Sequence, residues 1–556
     1  MIEYHLIVLV HGLWGNTSHF DYISKALKEY ARDNWGKDHE ELLVYTTTLN
    51  EGFKTYDGID VCGFRVAQEI ADQIGCFENS SSKGRITKFS IVGYSLGGLI
   101  SRYAIGLLYQ KQFFKKREIQ LLNFVTFCTP HVGVLAPGRN MAVRLFNSTV
   151  PWLLGNTGKQ MFLKDKVTVG VDQSNNGMPL IHLMSLENTV FYRALESFKY
   201  KSLYANIIND RRTAWWTSGI SLNDPFFNID EYNGVEVFQY IRGFDTVVLD
   251  RNEMIVVAKA ADPPTKNSIQ GDSQAESGDE DSINISDNRE VRDFYFFNYW
   301  LMKIGKWILV IANLLIIAPL LFTWKIVHSL AEMTISTIRV TRFVNKYSHQ
   351  LLHDFFEILP SPDSDEILSA NDSIGSESDV EADDLYSVRT SLSRTSSNHS
   401  NFGGNGSFPL EYGTYLGLEE SLNDQADYLI ESIYDAIERK NTHTGFVEEA
   451  PSNSTNIDEG SLAVTIRELE SQPFEQLVAK HGKEMISLIE NLYLDLSPTQ
   501  VAIINSLNKL QWSKYPIYIR KTPSAHACAI VRQLDADFDE GKIVVDHWIR
   551  KVLQRN

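Results

Sequence analysis

Cysteine is scarce in this sequence, which has only four in 556 residues, Cys62, Cys76, Cys128 and Cys528. They are widely spaced and form no Cys-x-x-Cys pair, so a disulfide framework and a cysteine-based zinc site are not expected. The N-terminus also lacks the basic region and small-residue cleavage site of a secretory signal peptide. Because the run "HLIVLV" after "MIEY" is typical of a buried strand, we expect the protein to fold in the cytosol.

Positive charge is also in short supply, with 52 Lys and Arg against 70 Asp and Glu. A nucleic-acid partner is therefore not expected, because phosphate binding needs a basic surface. Much of the acidity lies in three polar ranges, 263–293, 359–410 and 441–465. Such ranges contain too few apolar residues to bury a core, so they are predicted to be disordered linkers.

The remaining sequence has the pattern of an α/β protein. Up to residue 209, short apolar runs alternate with longer amphipathic ones. This predicts repeated βαβ units and a mostly parallel sheet with helices on both faces. Near the C-terminus the pattern predicts a helix at 497–512, strands at 515–519 and 527–531, and a closing helix at 541–554.

The stretch "IVGYSLGGLI" (91–100) places Ser95 between two glycines, after an apolar run and before an amphipathic helix. A Gly-x-Ser-x-Gly turn from strand to helix strains the serine backbone and lifts its hydroxyl above the carboxyl edge of the sheet. The helix N-terminus then points at a developing oxyanion. Ser95 is therefore the candidate nucleophile; the alternative is a glycine-rich turn of purely structural use.

Two backbone N–H groups about 3 Å away are needed to stabilise a tetrahedral oxyanion. Leu96, directly after the nucleophile, is one candidate donor. The motif "VHGLWG" (10–15) follows the first strand, where the second donor is needed. Leu13 is therefore the other candidate, and His11 is expected to order this turn rather than to react.

A serine is inert at neutral pH without a base, so an acid and a histidine should follow it in that chain order. Asp210 ends the apolar run 202–209 and is the candidate acid, with Asp245 and Asp250 in reserve. The alternative is that Asp210 caps a turn or pairs with a neighbouring arginine.

His526, on a loop with small neighbours beyond the strand at 515–519, is the candidate base. His547 is its rival, but it lies on a predicted amphipathic helix, where a histidine is more often packed or at the surface. His131 is expected at the rim of the pocket. This chemistry requires no metal and no other cofactor.

Several blocks of the sequence resemble the fungal serine esterase family of the α/β-hydrolase fold: "HLIVLVHGLWGN", "IVGYSLGGLISRYAIG", "FVTFCTPHVGV", "YANIINDRRTAWWTS", and "AHACAIVR" followed by "EGKIVVDHWI". The resemblance covers roughly residues 1–260 and 475–556. It implies an α/β-hydrolase that acts on glycerophospholipids at a lipid-droplet surface. The family pattern maps its nucleophile, acid and base onto Ser95, Asp210 and His526.

One long apolar run, "WILVIANLLIIAPLLFTW" (307–324), lies within a hydrophobic block at 294–358 and carries no charge. As a helix it would be about 27 Å long, close to the roughly 30 Å of a bilayer core. A single crossing would put Asp210 and His526 on opposite sides of the membrane. We therefore expect the run to enter and return, with a kink at Pro319, or to lie in the interface; a buried helix or a lid is the alternative.

Basic residues on both flanks of this run, among them Lys303 and Arg339, favour placement of both ends in the cytosol. An amphipathic helix is predicted within 411–440. The spacing of arginine and serine in "VRTSLSRTSS" (388–397) is of the kind that basophilic kinases prefer, so a kinase is a candidate partner.

Together these features predict an interfacial serine hydrolase that cleaves acyl esters of glycerophospholipids through an acyl-enzyme. Its expected partner is a phospholipid monolayer or membrane surface, at the lipid droplet or the cytosolic face of the endoplasmic reticulum. A neutral-lipid or protein-acyl esterase would use the same chemistry, and a catalytically dead membrane scaffold is the alternative of another class. The expected organisation is a hydrolase core in two parts, 1–262 and 466–556. Between them we expect a linker at 263–293, a membrane-associated segment at 294–358, a linker at 359–410, an amphipathic helix at 411–440 and a linker at 441–465.

Overall fold

The structure is a computed structural model that describes residues 2–35, 40–80, 84–167, 177–227, 229–230, 234–235, 237–258, 327, 330–343, 345, 461–489 and 491–554. Several sequence predictions lie outside the described residues: the linkers at 263–293 and 359–410, the apolar run 307–324, the candidate kinase site 388–397 and the helix within 411–440. No helix in the described part of the chain is both long and apolar enough to span a bilayer.

Six parallel strands form the central sheet, in the order β2-β1-β3-β4-β5-β8. A separate antiparallel pair is formed by β6 and β7. The strands are β1 Ile2–Val10, β2 Glu40–Thr46, β3 Gly84–Tyr94, β4 Gln120–Phe127, β5 Tyr200–Asn206, β6 Met254–Ala258, β7 Ser461–Thr465 and β8 Trp512–Ile517. The parallel sheet with its helices confirms the predicted α/β class.

The helices connect successive strands and cover the sheet. They are α1 Asp21–Asn34, α2 Ile59–Ser80, α3 Leu96–Gln110, α4 Phe113–Lys116, α5 Met141–Leu153, α6 Gly155–Met161, α7 Leu180–Leu183, α8 Val190–Glu196, α9 Trp215–Ser218, α10 at 330–343, α11 Ile466–Ser471, α12 Phe474–His481, α13 Lys483–Ile486, α14 Pro498–Leu507, α15 Ala525–Cys528 and α16 Asp539–His547. Short 3₁₀ turns lie at Thr17–Phe20, Gly52–Asp57 and Ala536–Phe538, and a π-helical turn at Trp548–Val552 follows α16.

Both faces of the sheet are buried, as a parallel sheet requires. Along β1, Leu6 and Val8 belong to a core cluster with side chains of α2 and α3, whereas Ile7 and Leu9 belong to a second cluster with side chains of α1 and α16. The alternation of side chains along a strand thus supplies two cores from one continuous apolar run.

The two ends of the sequence meet in one sheet. β8 pairs in parallel with β5, with Asn206 opposite Ile517. β6 pairs with β7, with Ala258 opposite Ser461. The last part of the chain therefore completes the sheet begun by the first part, and β7 occupies the end of the range expected to be a linker, 441–465.

The strand predicted at 527–531 is wrong. The structure has the short helix α15 there, closed by hydrogen bonds from Cys528 N to Ser524 O and from Ala529 N to Ala525 O, both 3.0 Å. The apolar run is buried, and periodicity alone does not distinguish a short buried strand from a short buried helix. Alanine, which supplies three of the residues from 525 to 529, favours the helix.

Candidate active site

Ser95 lies in the sharp turn between β3 and α3, at the carboxyl edge of the sheet. Its backbone has φ 54° and ψ −128°, a left-handed conformation that costs a non-glycine residue of order 1–3 kcal/mol. Ser95 N donates to Phe127 O at the end of β4, 2.9 Å away, and Ser95 O accepts from Gly98 N at 3.1 Å. These two bonds hold the strained turn, and the serine remains half-buried rather than enclosed.

The glycines around this turn are required by close backbone approach. A Cβ on Gly97 would lie 2.1 Å from Val10 O, and a Cβ on Gly93 would lie 2.4 Å from Gly98 Cα. Because these contacts are to backbone atoms, no side-chain movement can relieve them. The sequence pattern around Ser95 is thus explained by the packing of α3 against the ends of β1 and β3.

The loop 11–15, which we call the oxyanion loop, lies beside the serine. A Cβ on Gly12 would come within 2.7 Å of Ser95 Cβ and 3.2 Å of Ser95 Oγ, so Leu13 follows a residue in direct contact with the candidate nucleophile. His11 is buried, and its Nδ1 lies 3.1 Å from Gly12 O, which fits the ordering role expected of it. Leu96 is the first residue of α3, where the helix offers its N–H no acceptor.

The structure brings Asp210 and His526 together. Nδ1 of His526 lies 2.9 Å from Asp210 Oδ2 and 3.1 Å from Oδ1, and both side chains are almost completely buried. Asp210 follows β5, and His526 lies on α15 beyond β8. Since β5 and β8 are parallel neighbours, their carboxyl ends deliver the acid and the histidine to the same edge.

Asp210 is surrounded by hydrogen-bond donors. Its oxygens accept from Asn206 Nδ2 at 2.9 Å, from Thr213 Oγ1 at 3.0 Å, and from the backbone N–H groups of Arg212 and Thr213. Burial alone would raise the pKa of Asp210, but the charge of His526 and these hydrogen bonds lower it to about 2. The side chain is therefore a carboxylate at all physiological pH values.

His526 is held with one ring nitrogen free. A carboxylate can only accept, so Nδ1 carries the hydrogen that Asp210 receives, and Nε2 is left as an acceptor. Nε2 is buried and has no hydrogen-bond partner among the described residues; it is therefore not hydrogen bonded to Ser95 Oγ in this structure. The Tyr94 ring lies 5.1 Å from the His526 ring, and Tyr94 Oη donates to His526 O at 3.2 Å. The residue before the candidate nucleophile thus orients the candidate base.

The rival histidine, the two reserve acids and His131 lie elsewhere. His547 is buried against Tyr204, whose hydroxyl lies 2.8 Å from His547 Nδ1, and His131 Nε2 pairs with Thr126 Oγ1 at 2.9 Å. Asp245 is exposed. Asp250 accepts from Asn252 in its own turn.

One group of side chains in the described part of the chain has the spacing of a metal site. The ligand atoms of Cys128, Asp210 and His526 lie within 4.8 Å of one another. A metal would need the Cys128 thiolate, but burial and the neighbouring Asp210 raise the pKa of this thiol well above its ordinary value. The Asp210 oxygens are already engaged by several donors, so the chemistry of the group fits a Ser-acid-His arrangement better than a metal site.

Three supporting residues, Asn206, Thr213 and Tyr94, were missed by the sequence analysis. Asn206 and Thr213 flank Asp210 at positions −4 and +3, and a search for polar side chains around the acid would have found them. Tyr94 is a variable position of the Gly-x-Ser-x-Gly pattern, and no sequence signal indicates that its hydroxyl reaches the His526 backbone.

The parallel sheet with helices on both faces and the turn at Ser95 define an α/β-hydrolase fold. Residues 2–221 match the family described as "Putative serine esterase (DUF676)". The resemblance inferred from the sequence is therefore confirmed for this part of the chain.

The curated relatives are described as lipases. "Putative lipase ROG1" of Saccharomyces cerevisiae is 32% identical over 227 residues, which are 40% of this chain and 29% of that protein. "Putative lipase C4A8.10" of Schizosaccharomyces pombe is 29% identical over 223 residues, 39% of this chain and 26% of that protein. Among solved structures, phospholipase PlaB from Legionella pneumophila in complex with thio-NAD has a TM-score of 0.23 and 14% identity, covering 38% of this chain and 39% of that one. The matched region spans less than a third of the length of either curated relative.

Proposed function

We propose that the protein is a serine esterase that cleaves acyl esters of glycerophospholipids at a lipid surface. The observation that carries the proposal is the buried Asp210–His526 pair, whose free Nε2 belongs to the same sheet edge as the strained serine. Strain of this kind persists only where the surrounding structure enforces it, and it is typical of functional sites. The fit of residues 2–221 to a serine esterase family supports the same chemistry.

In the proposed reaction Ser95 Oγ attacks the acyl carbonyl carbon while its proton passes to Nε2 of His526. The backbone N–H groups of Leu13 and Leu96 stabilise the oxyanion, and Asp210 stabilises the imidazolium. Collapse of the intermediate releases the alcohol, which takes the proton from His526, and leaves an acyl-enzyme. Water, deprotonated by His526, then releases the fatty acid. The Ser95–His526 hydrogen bond is expected to form when substrate closes the site.

A lipid surface as partner is supported by the exposed face of α5. Met141, Leu145 and Trp152 are 88, 64 and 51% exposed, and their spacing places them on one side of the helix. The helix contains Arg144 and no acidic residue. An apolar face with a tryptophan and positive charge is typical of helices that bind in the interface of anionic membranes.

The catalytic proposal is tested by fatty-acid release from phospholipid vesicles with the purified full chain and its Ser95→Ala variant. Wild type should release fatty acid and should be labelled by a fluorophosphonate probe, whereas the variant should do neither. Equal rates from the two proteins would end the proposal, and an unlabelled wild type would favour a dead scaffold. Faster hydrolysis of triacylglycerol or palmitoylated protein than of phospholipid would reassign the substrate.

The lipid-surface proposal is tested by co-sedimentation with vesicles of phosphatidylcholine and phosphatidylserine. Trp152→Ser should weaken binding. Tyr109→Ser is the matched control, because Tyr109 is also an exposed aromatic residue but lies near the far end of α3. Equal loss from both variants, or from neither, would contradict a binding role for α5.

A further inference from the structure

Helix α10, at 330–343, packs against the first part of the core although it begins more than seventy residues after the end of β6. Ser336 is buried, Arg339 and Phe343 are half-buried, and this spacing places all three on one face of the helix. The Phe343 ring lies 5.0 Å from the ring of Phe64 in α2, in an edge-on arrangement. α10 is therefore docked through a defined face.

The centre of this contact is the carboxylate of Asp57, whose side chain is fully buried. Arg339 reaches it through Nε, at 3.1 Å from both oxygens, and through Nη2, at 2.9 Å from Oδ1. Ser336 Oγ donates to Oδ1 at 2.7 Å, and Arg65 Nη2 donates to Oδ2 at 2.7 Å. A buried carboxylate needs this degree of compensation, and two of the three side chains that supply it here, Ser336 and Arg339, lie on α10.

Asp57 ends the 3₁₀ turn Gly52–Asp57, and the same turn supports the oxyanion loop. Thr55 Oγ1 accepts from Trp14 N at 3.1 Å and donates to Gly52 O at 2.7 Å. Gly52 N donates to Gly15 O at 2.9 Å. Trp14 has a φ of 53°, so the backbone just after Leu13 is strained and depends on these bonds for its position.

Arg339 forms hydrogen bonds with this turn at two points. Besides Asp57, its Nη2 donates to Phe53 O at 3.3 Å. Three residues of the turn separate Phe53 from Asp57, and Thr55 is the middle one. Hydrogen bonds therefore join α10 to the two ends of this turn, and the middle of the turn to Trp14, the residue that follows Leu13.

We propose that Arg339 is a positioning residue for the oxyanion loop, so that docking of α10 on Asp57 sets the orientation of the Leu13 N–H. The inference rests on the proposed function, because it assigns that N–H to the oxyanion. An oxyanion donor acts on the transition state rather than on bound substrate. Loss of Arg339 should therefore lower kcat and leave KM nearly unchanged.

The test uses the full chain with Arg339→Met, Arg339→Lys and the matched control Arg342→Met. Arg342 lies on the same helix, is exposed, and carries the same charge. The substrate is p-nitrophenyl butyrate, which is soluble and needs no lipid surface. Amide hydrogen exchange of the oxyanion loop, the 52–57 turn and α10 is measured on the same proteins.

Arg339→Met should lower kcat about 10-fold, a fraction of the loss seen when a whole oxyanion donor is removed, with KM within 2-fold of wild type. It should also raise exchange in α10, the turn and the oxyanion loop. Arg339→Lys should recover part of kcat, because it restores the charge but not the forked geometry. Arg342→Met should match wild type in both measurements.

An unchanged kcat in Arg339→Met, or the same loss in Arg342→Met, would overturn the proposal. So would a loss of kcat without faster exchange in the turn and the oxyanion loop. If the wild type neither hydrolyses the ester nor reacts with a fluorophosphonate, the proposed function has failed separately. Amide hydrogen exchange then tests only whether docking of α10 holds the oxyanion loop. Faster exchange at the Trp14 amide in Arg339→Met supports this coupling, and unchanged exchange overturns it.

Discussion

Replacement of Asp210 by asparagine is the sharpest test of the acid–base pair, because it changes charge and donor pattern with little change in volume. In the native site every neighbour of the carboxylate is a donor. An asparagine would keep its oxygen toward the backbone N–H groups of Arg212 and Thr213. Its amide would then face Asn206 and His526, both of which point hydrogens at this position. To avoid that conflict, His526 must move its hydrogen from Nδ1 to Nε2, and it can no longer accept a proton from Ser95.

The size of the effect follows from two contributions. The surroundings lower the pKa of Asp210 from 3.8 to about 2, which corresponds to about 2 kcal/mol in favour of the carboxylate. Loss of an interaction of this size would reduce kcat by roughly 10- to 100-fold if it is fully expressed in stabilising the imidazolium. The wrong tautomer adds to this loss, and the same substitution in a serine protease costs about 10⁴ in kcat. We therefore expect a fall of about 10³- to 10⁴-fold for Asp210→Asn.

The assay is steady-state hydrolysis of p-nitrophenyl butyrate, with fluorophosphonate labelling of Ser95 followed in parallel. Asp245→Asn is the matched control, since it makes the same substitution at an exposed aspartate and should retain wild-type kcat. Thermal unfolding of each variant shows whether a loss of activity reflects a loss of fold. If folded Asp210→Asn keeps more than a tenth of kcat, Asp210 is not the orienting acid.

Two further predictions concern stability. Gly97→Ala should destabilise the fold by about 2–4 kcal/mol in urea unfolding, because its Cβ would meet Val10 O at 2.1 Å. The control Gly75→Ala, with open space around it in α2, should be neutral or stabilising by up to about 1 kcal/mol. Equal effects of the two substitutions would contradict the packing described for Gly97. Burial lowers the pKa of Lys514 from 10.5 to about 8 despite the charge of Glu470. Between those pH values the unfolded chain binds more protons at this position, so the free energy of unfolding should rise with pH, by up to about 1.4 kcal/mol per pH unit. Urea unfolding of wild type and Lys514→Met at pH 8.5 and 9.5 measures this, and parallel slopes would refute it.

The catalytic candidates could be found from the sequence because each follows a strand of the same parallel sheet. Carboxyl ends of parallel strands share one edge, so Ser95 after β3 and Asp210 after β5 had to lie on the same side of the molecule. The histidine was harder, because the strand expected after His526 is instead the helix α15. The structure nevertheless places His526 beside Asp210, since its position depends on β8 ending beside β5 and not on the secondary structure that follows.

The contacts that support the site could not be predicted in the same way. Arg339 reads in the sequence as one of several basic residues near an apolar run, and nothing local connects it with Asp57, 282 positions earlier. Tertiary packing decides which buried charged side chains pair with each other. A single sequence carries no periodic or spacing signal for such pairs. The oxyanion loop shows the same limit: its motif predicts Leu13 as a donor, but the sequence carries no signal for the turn Gly52–Asp57 that holds the loop.

The geometry of the insertion also restricts how the apolar run 307–324 could meet a lipid surface. β6 and β7 pair at Ala258 and Ser461, so the chain between them leaves and returns at one place. Only five residues separate Trp324 from Leu330 of α10, a path of at most about 20 Å. α10 is itself fixed to the core through Asp57, and its outward face exposes Leu330, Ile335 and Ile338. If the run binds lipid as the sequence predicts, its Trp324 end must therefore lie within about 20 Å of that docked helix, which favours attachment close to the catalytic core over a distant anchor.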